Sequence, residues 1–200
     1  MNLPFGTKPM QSTIDFILEL DKLKGVERKV KPLGQLRYEN SAEHSWQISL
    51  FAWSLAEHAA EPVDMNRVIQ MLLVHDIGEI DVGDVIAFAE GQEALKQAER
   101  EAVQRIFALA PAPLAAHFLA LWDEFEAAST AEARFAHAAD RAMPVLLNLA
   151  NQGQSWRENG ISYERVLRRI RPPIESGCPA LWQWLAPQLE QAQARGYFGA

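Results

Sequence analysis

Val74-His75-Asp76-Ile77-Gly78-Glu79-Ile80 is the stretch whose reading settles what kind of molecule this is. Upstream of it Asp64 suits a helix N-cap, and Val68, Ile69, Leu72 and Leu73 recur at helical spacing. The spacing predicts a helix that opens at Asp64 and runs into His75-Asp76, with Gly78 and Gly83 loosening the chain beyond that pair. An adjacent His-Asp pair offers an imidazole and a carboxylate. Neighbours on a helix project about 100° apart, so both can reach one ion at different coordination sites. The bare dipeptide equally fits a helix C-terminus, with His75 at the negative end of the dipole and Asp76 on the surface.

Two residues outside the stretch could complete a ligand set with that pair. His44 upstream and Asp140 downstream each stand alone in a helical-looking segment. Together the four side chains make a set of two imidazoles and two carboxylates. Such borderline-to-hard ligands suit Co²⁺, Mn²⁺, Mg²⁺, Fe²⁺, Ni²⁺ or Zn²⁺ and do not select among them. In an octahedral ion they leave positions for water and a substrate oxygen. Glu79 lies four residues after His75 and shares its face if the helix continues through Gly78. There it can accept a proton from attacking water; otherwise it is an exposed helix-terminal charge.

The rest of the chain reads as helix after helix, with no alternating strand pattern. Thr13 suits the N-cap of a first helix with Ile14, Ile17, Leu18 and Leu20. Residues 25–40 read as a loop broken by Gly25, Pro32 and Gly34. Asn40 and Glu43 resemble a capping box for a second helix to about residue 60, ended by Pro62. A charged amphipathic helix spans residues 93–109. Pro111 and Pro113 break the chain before another helix to about 126. Ser129-Thr130-Ala131-Glu132 is a capping box for the helix that contains Asp140. Pro144 leaves the Asp140 carbonyl without its usual donor, so a kink is expected that helps aim the aspartate. Ser162 opens a short helix ended by Pro172-Pro173. Pro179 suits the first turn of a last helix over 180–194, closed by Gly196. The expectation is all-α: one helical-bundle domain over residues 1–200, without repeat, low-complexity segment or linker.

Composition narrows the function. Of 200 residues, 48% are hydrophobic, enough for a sizeable core. The net charge of −7 repels nucleic acid and anionic membrane surfaces, so an anionic substrate must be met by a metal or a local basic cluster. Residues 22–37 supply such a cluster, with Lys22, Lys24, Arg28, Lys29, Lys31 and Arg37 against Glu27. A guanidinium there can grip two phosphate oxygens; a solvated basic loop is the plainer alternative. The single cysteine, Cys178, cannot form an intrachain disulfide, and residues 1–10 lack an apolar core of signal-peptide length. No apolar run reaches the length of a membrane span. A cytoplasmic protein is expected, with neither nucleic acid nor membrane as partner.

Ser41-Ala42-Glu43-His44-Ser45-Trp46, the stretch at 74–80, Val82-Gly83-Asp84 and Ala138-Ala139-Asp140-Arg141 resemble, in order and spacing, the HD-domain metal-dependent phosphohydrolases. The similarity is greater to the branch of bacterial 5′-deoxynucleotidases and their eukaryotic HD-domain relatives. Leu121-Trp122-Asp123-Glu124-Phe125-Glu126 and residues 144–156 look like the C-terminal half of that branch, and the resemblance covers about residues 12–170. It implies a single HD domain whose metal ligands are His44, His75, Asp76 and Asp140, with Glu79 helping to activate or position the attacking water. It places Asp84 near the substrate sugar, with Val85, Ile86 and Ala87 along the pocket wall; Asp84 also suits an N-cap. Arg28 matches the phosphate-facing arginine, with Lys29 the competing assignment. The substrate so implied is a nucleoside 5′-monophosphate, probed best by a phosphatase screen.

Two rivals remain. One keeps the metal and takes nucleoside triphosphates or a guanosine tetraphosphate-type alarmone. The other is a metal-stabilised interaction module, against which Glu79 and the basic loop speak. His137, one turn before Asp140, is expected behind the ligands or at the surface. His58, about 21 Å from His44 along a continuous helix, cannot share an ion with it, and His117 has no acidic or histidine partner near it in sequence. The tryptophans read as core and interface anchors, with Trp46 able to pack under the site. Gly196-Tyr197-Phe198 is not the Gly-Tyr-Pro signature of cyclic-dinucleotide phosphodiesterases. A homodimer is implied by the resemblance; the last helix, with Leu181, Trp182, Trp184 and Leu185, either forms its interface or packs on the core.

Overall fold

The structure, a computed structural model, describes residues 7–84 and 92–199. Among them the regular elements are helices, apart from an isolated antiparallel bridge between Glu27 and Asn40. In order they are α1 (Thr7–Leu20), a 3-10 turn (Asp21–Gly25), α2 (Ser41–Ser54), a 3-10 turn (Ala56–His58), α3 (Met65–Val74), α4 (Glu79–Val82), α5 (Gln92–Phe107), α6 (Ala112–Ala127), α7 (Ala131–Ala150), α8 (Gln154–Glu158), α9 (Tyr163–Gly177) and α10 (Pro179–Ala194). The fold is all-α. No described helix is long and apolar enough to cross a membrane.

At the starts of α2, α3, α7 and α9 a polar side chain takes orphan N–H groups. Asn40 accepts from the Glu43 N–H at 2.9 Å and Glu43 reaches back to the Asn40 N–H, closing the expected capping box of α2. Asp64 caps α3 and Ser162 caps α9. After α10 the Tyr197 N–H donates to the Ala192 carbonyl, and Gly196 turns through a positive φ, a Schellman end.

Several expectations are corrected. α1 begins at Thr7, so Thr13 lies inside it. α2 stops at Ser54 and gives way to the 3-10 turn at 56–58. The Ser129–Glu132 box does not form: Thr130 is the cap, and Glu132 accepts instead from the Asp64 N–H, tying α7 to the start of α3. α9 runs through Pro172 and Pro173 to Gly177. Two helical donors are lost there, but Ile174 is fully buried and α9 makes its closest packing against α7, which outweighs the breakers.

α7 is the hub, packing on α2, α3, α6, α9 and α10. Its buried alanines (Ala133, Ala136, Ala138, Ala139 and Ala142) let backbones approach. At Gly177 a Cβ would fall 2.1 Å from the Arg134 carbonyl oxygen of α7, so only glycine fits that crossing. Leu181, Leu185 and Leu189 of α10 are buried in this chain's own core, while Trp184 is exposed. The C-terminal tail folds back: Phe198 stacks on Trp156 at 4.4 Å, and Gly199 N–H donates to the Ile161 carbonyl.

Candidate active site

α2 delivers His44 from its first turn, α7 delivers Asp140 from its middle, and the end of α3 delivers His75 and Asp76. His44 Nε2 lies 3.0 Å from Asp140 Oδ1. His75 Nε2 lies 3.0 Å from Asp76 Oδ1 and 3.9 Å from Asp140 Oδ1. Ligand atoms of His44, His75 and Asp140, all buried, fall within 4.8 Å of one another. Asp76 is outside that trio but beside His75, and its Oδ2 accepts from Arg28 Nη1 at 2.8 Å.

α3 stops at Val74, and residues 75–81 turn through i→i−3 bonds: Ile77 to Val74, Glu79 to Asp76, Ile80 to Ile77 and Asp81 to Gly78. The shared His75–Glu79 face therefore does not form, because three-residue turns superpose positions three apart. Glu79 comes over Asp76 instead, and its Oε2 accepts from the Ser41 hydroxyl at 2.5 Å. Gly78 lies close against α5: a Cβ there would meet the Glu99 carbonyl oxygen at 3.1 Å and Val103 at 3.2 Å, tighter than ordinary contact.

The imidazoles are held by their other nitrogens. His75 Nδ1–H donates to the Leu72 carbonyl at 2.9 Å, and His44 Nδ1 faces Glu39 Oε1 at 3.5 Å. Trp122 Nε1–H donates to the His75 carbonyl. With Nδ1 protonated, the Nε2 of a neutral ring carries a lone pair. In His75 that buried nitrogen has no hydrogen-bond partner and is aimed at two carboxylates. Lone pair against anion is repulsive unless a proton or cation lies between them. Two imidazoles and two carboxylates so arranged fit a divalent cation.

The charges are strongly perturbed without one. Burial opposes charge on His75, but Asp76 and Asp140 push its pKa up to about 9. Burial and Asp76 push Glu79 up to about 9. Asp76 is lowered to about 2 by His75 and Arg28 against its burial, and Asp140 is held well below the carboxylate range by Arg141 and His44, again against burial.

Two cavities meet here. One, about 160 Å³, has apolar walls from Val145, Trp156, Val166 and Ile170, and arginines 28, 141 and 169 where it borders the second. The other, about 300 Å³, mixes the carboxylates of Asp76, Glu79, Glu99 and Glu126 with Lys96 and the same three arginines. Asp84 borders both, its carboxyl raised chiefly by burial. An N-cap role for Asp84 and the wall at Val85, Ile86 and Ala87 lie outside the described residues. Arg28 borders both cavities and Lys29 the first. The wider basic cluster is dispersed: Lys22 pairs with Glu19, Lys24 with Asp21, Lys31 with Glu158 and Arg37 with Glu43. His137 stacks on Phe125 and faces its carbonyl at 2.8 Å. Trp46 is 62% exposed and does not pack under the site.

Sequence reading passed over Glu39, Arg141 and Arg169. Arg169 had a signal: it sits three residues after buried Val166 on an amphipathic helix, where a cation should face inward only for a reason. Burial and Arg141 lower its pKa to about 10.

A family model described as HD domain matches residues 20–182. The chain belongs to the HD-domain family. The 5′-deoxynucleotidase HDDC2 of Homo sapiens is 30% identical over 145 residues, 71% of this chain and 69% of that protein. A predicted metal-dependent phosphohydrolase from Magnetospirillum magnetotacticum MS-1 has a crystal structure that superposes with a TM-score of 0.91 at 40% identity, over 100% of both chains. An HD-domain phosphohydrolase from Listeria innocua shares the fold, with a TM-score of 0.64 at 18% identity over 92% of this chain and 99% of that one.

Proposed function

We propose that the chain is a metal-dependent phosphohydrolase that cleaves deoxynucleoside 5′-monophosphates to nucleoside and phosphate. The observation that carries this reading is that an apolar-walled cavity lined by three arginines reaches the His44, His75, Asp76 and Asp140 cluster at Asp140. Relatives named as 5′-deoxynucleotidases support the substrate class.

His44, His75, Asp76 and Asp140 would hold the cation. A divalent ion there supplies positive charge to phosphoryl oxygens and acidifies water. Arg28 offsets charge on the phosphate, and Arg141 and Arg169 line the same cavity. Glu79 takes the proton of the attacking water onto its carboxylate, which Ser41 orients. Its value near 9 belongs to the cation-free site; positive charge beside Asp76 draws it down and restores the basic form. Asp84 faces the sugar end of the first cavity. The apolar walls with Trp156 suit a nucleoside.

The deciding experiment is phosphate release from a panel of ribo- and deoxynucleoside monophosphates with Co²⁺, Mn²⁺, Mg²⁺ or no added ion. Release from the deoxynucleotides is expected. Pyrophosphate or triphosphate release from longer nucleotides, with none from monophosphates, would transfer the reading to the triphosphate or alarmone class.

A further inference from the structure

We infer that Glu39 is a positioning residue that links the phosphate-facing Arg28 to the cation-facing His44, an inference that rests on the cation site proposed above. Its backbone is pinned: Glu39 N–H donates to the Val30 carbonyl at 2.9 Å, and the Glu39 carbonyl accepts from Arg28 N–H at 2.9 Å. That pairing, beside the Glu27–Asn40 bridge, fixes the register in which residues 28 and 39 stand opposite each other.

The side chain is only 2% exposed, so its charge is out of water. A buried carboxylate persists only where cationic or donor groups face it. Two do: Arg28 Nε at 3.3 Å and His44 Nδ1 at 3.5 Å, both directed to the same oxygen, Oε1. Those three atoms are also among the few buried polar atoms left without a well-aligned hydrogen bond, and they are one another's neighbours. Each partner continues into the site by its other end, Arg28 Nη1 to Asp76 Oδ2 and His44 Nε2 to Asp140 Oδ1. These side chains thus close a ring: Asp76, Arg28, Glu39, His44, Asp140, His75 and back to Asp76. A carboxylate facing Nδ1–H holds His44 in the tautomer whose Nε2 lone pair points toward Asp140, and it makes that nitrogen a better donor to a cation. The same oxygen stops the Arg28 fork from rotating away from Asp76.

The test is Co²⁺ titration calorimetry on the metal-stripped full chain, with thermal melts and hydrolysis kinetics on the same samples. Glu39→Gln keeps the shape and removes the charge; Glu39→Asp keeps the charge and shortens the reach. Both should weaken Co²⁺ binding, Glu39→Gln by about 10- to 100-fold, and both should raise KM while melting cooperatively. If Glu39→Gln fails to fold, Glu39→Asp alone decides. Wild-type Co²⁺ affinity in Glu39→Asp overturns the inference, because the carboxylate would then act through its field and not by placing His44. A wild-type chain that takes up no divalent ion overturns the cation site itself, a separate result seen before any variant is made.

Discussion

His75 does three things with one ring and one peptide. Its Nδ1–H is committed to the Leu72 carbonyl, its own carbonyl accepts from Trp122, and its Nε2 is turned on Asp76 and Asp140. In the cation-free chain His75 and Glu79 both have pKa values raised to about 9, from ordinary values of 6.5 and 4.5. Between pH 6.5 and 9 the native state therefore holds protons that the unfolded chain has released, so stability must fall as pH rises through that window. We expect calorimetry of chelator-treated protein to show a lower Tm at pH 9 than at pH 6.5. A divalent ion displaces those protons, so the gap between loaded and stripped Tm should widen over the same range. A stripped protein whose Tm climbs with pH would contradict the assigned protonation. For Glu79→Gln we expect kcat to drop about 10²-fold or more with Co²⁺ affinity kept, since the amide cannot take a proton. Unchanged turnover in that variant would remove Glu79 from the chemistry.

The helices matter to this site mainly by where they stop and how closely they cross. Because α3 ends at Val74, His75 and Asp76 lie on tight turns and not on a helix face, and Glu79 is brought over Asp76. Gly78 allows that turn to lie against α5, and Gly177 allows α9 to lie against α7 near its Arg134 turn. Gly177→Ala should cost about 3 kcal/mol in denaturant unfolding, since its Cβ meets backbone that cannot swing aside. A cost below about 0.5 kcal/mol would mean that α9 slides freely on α7. The proline pair at 172–173 and the tail at 197–199 make the same point: both are held by packing, through the burial of Ile174 in one case and the stack of Phe198 on Trp156 in the other.

Taken as a body, the chain leaves Trp46, Leu50 and Trp53 of α2 exposed at positions that share one helix face. The homodimer implied by the family resemblance remains a proposal, and the leucines of α10 do not carry it, because they belong to this chain's own core. If two copies pair through α2, sedimentation velocity should give a dimer for the wild type and a monomer for the Trp46→Lys, Trp53→Lys variant. A monomeric wild type rejects pairing.

The all-α class, the caps at Asn40, Asp64 and Ser162, and the candidate ligands His44, His75, Asp76 and Asp140 were all legible in the sequence. Helical periodicity and capping are set by side chains a few residues apart, and the ligand candidates stand in motifs whose order and spacing carry the family resemblance. What the three-dimensional packing alone decided is of another kind. The break after Val74, the passage of α9 through two prolines, the dispersal of the basic cluster into ion pairs and the meeting of Glu39 with both Arg28 and His44 depend on groups brought together from distant positions. Local propensities are worth fractions of a kcal/mol to a few kcal/mol at each position, and burial against α7 together with pairing of buried charge is large enough to override them.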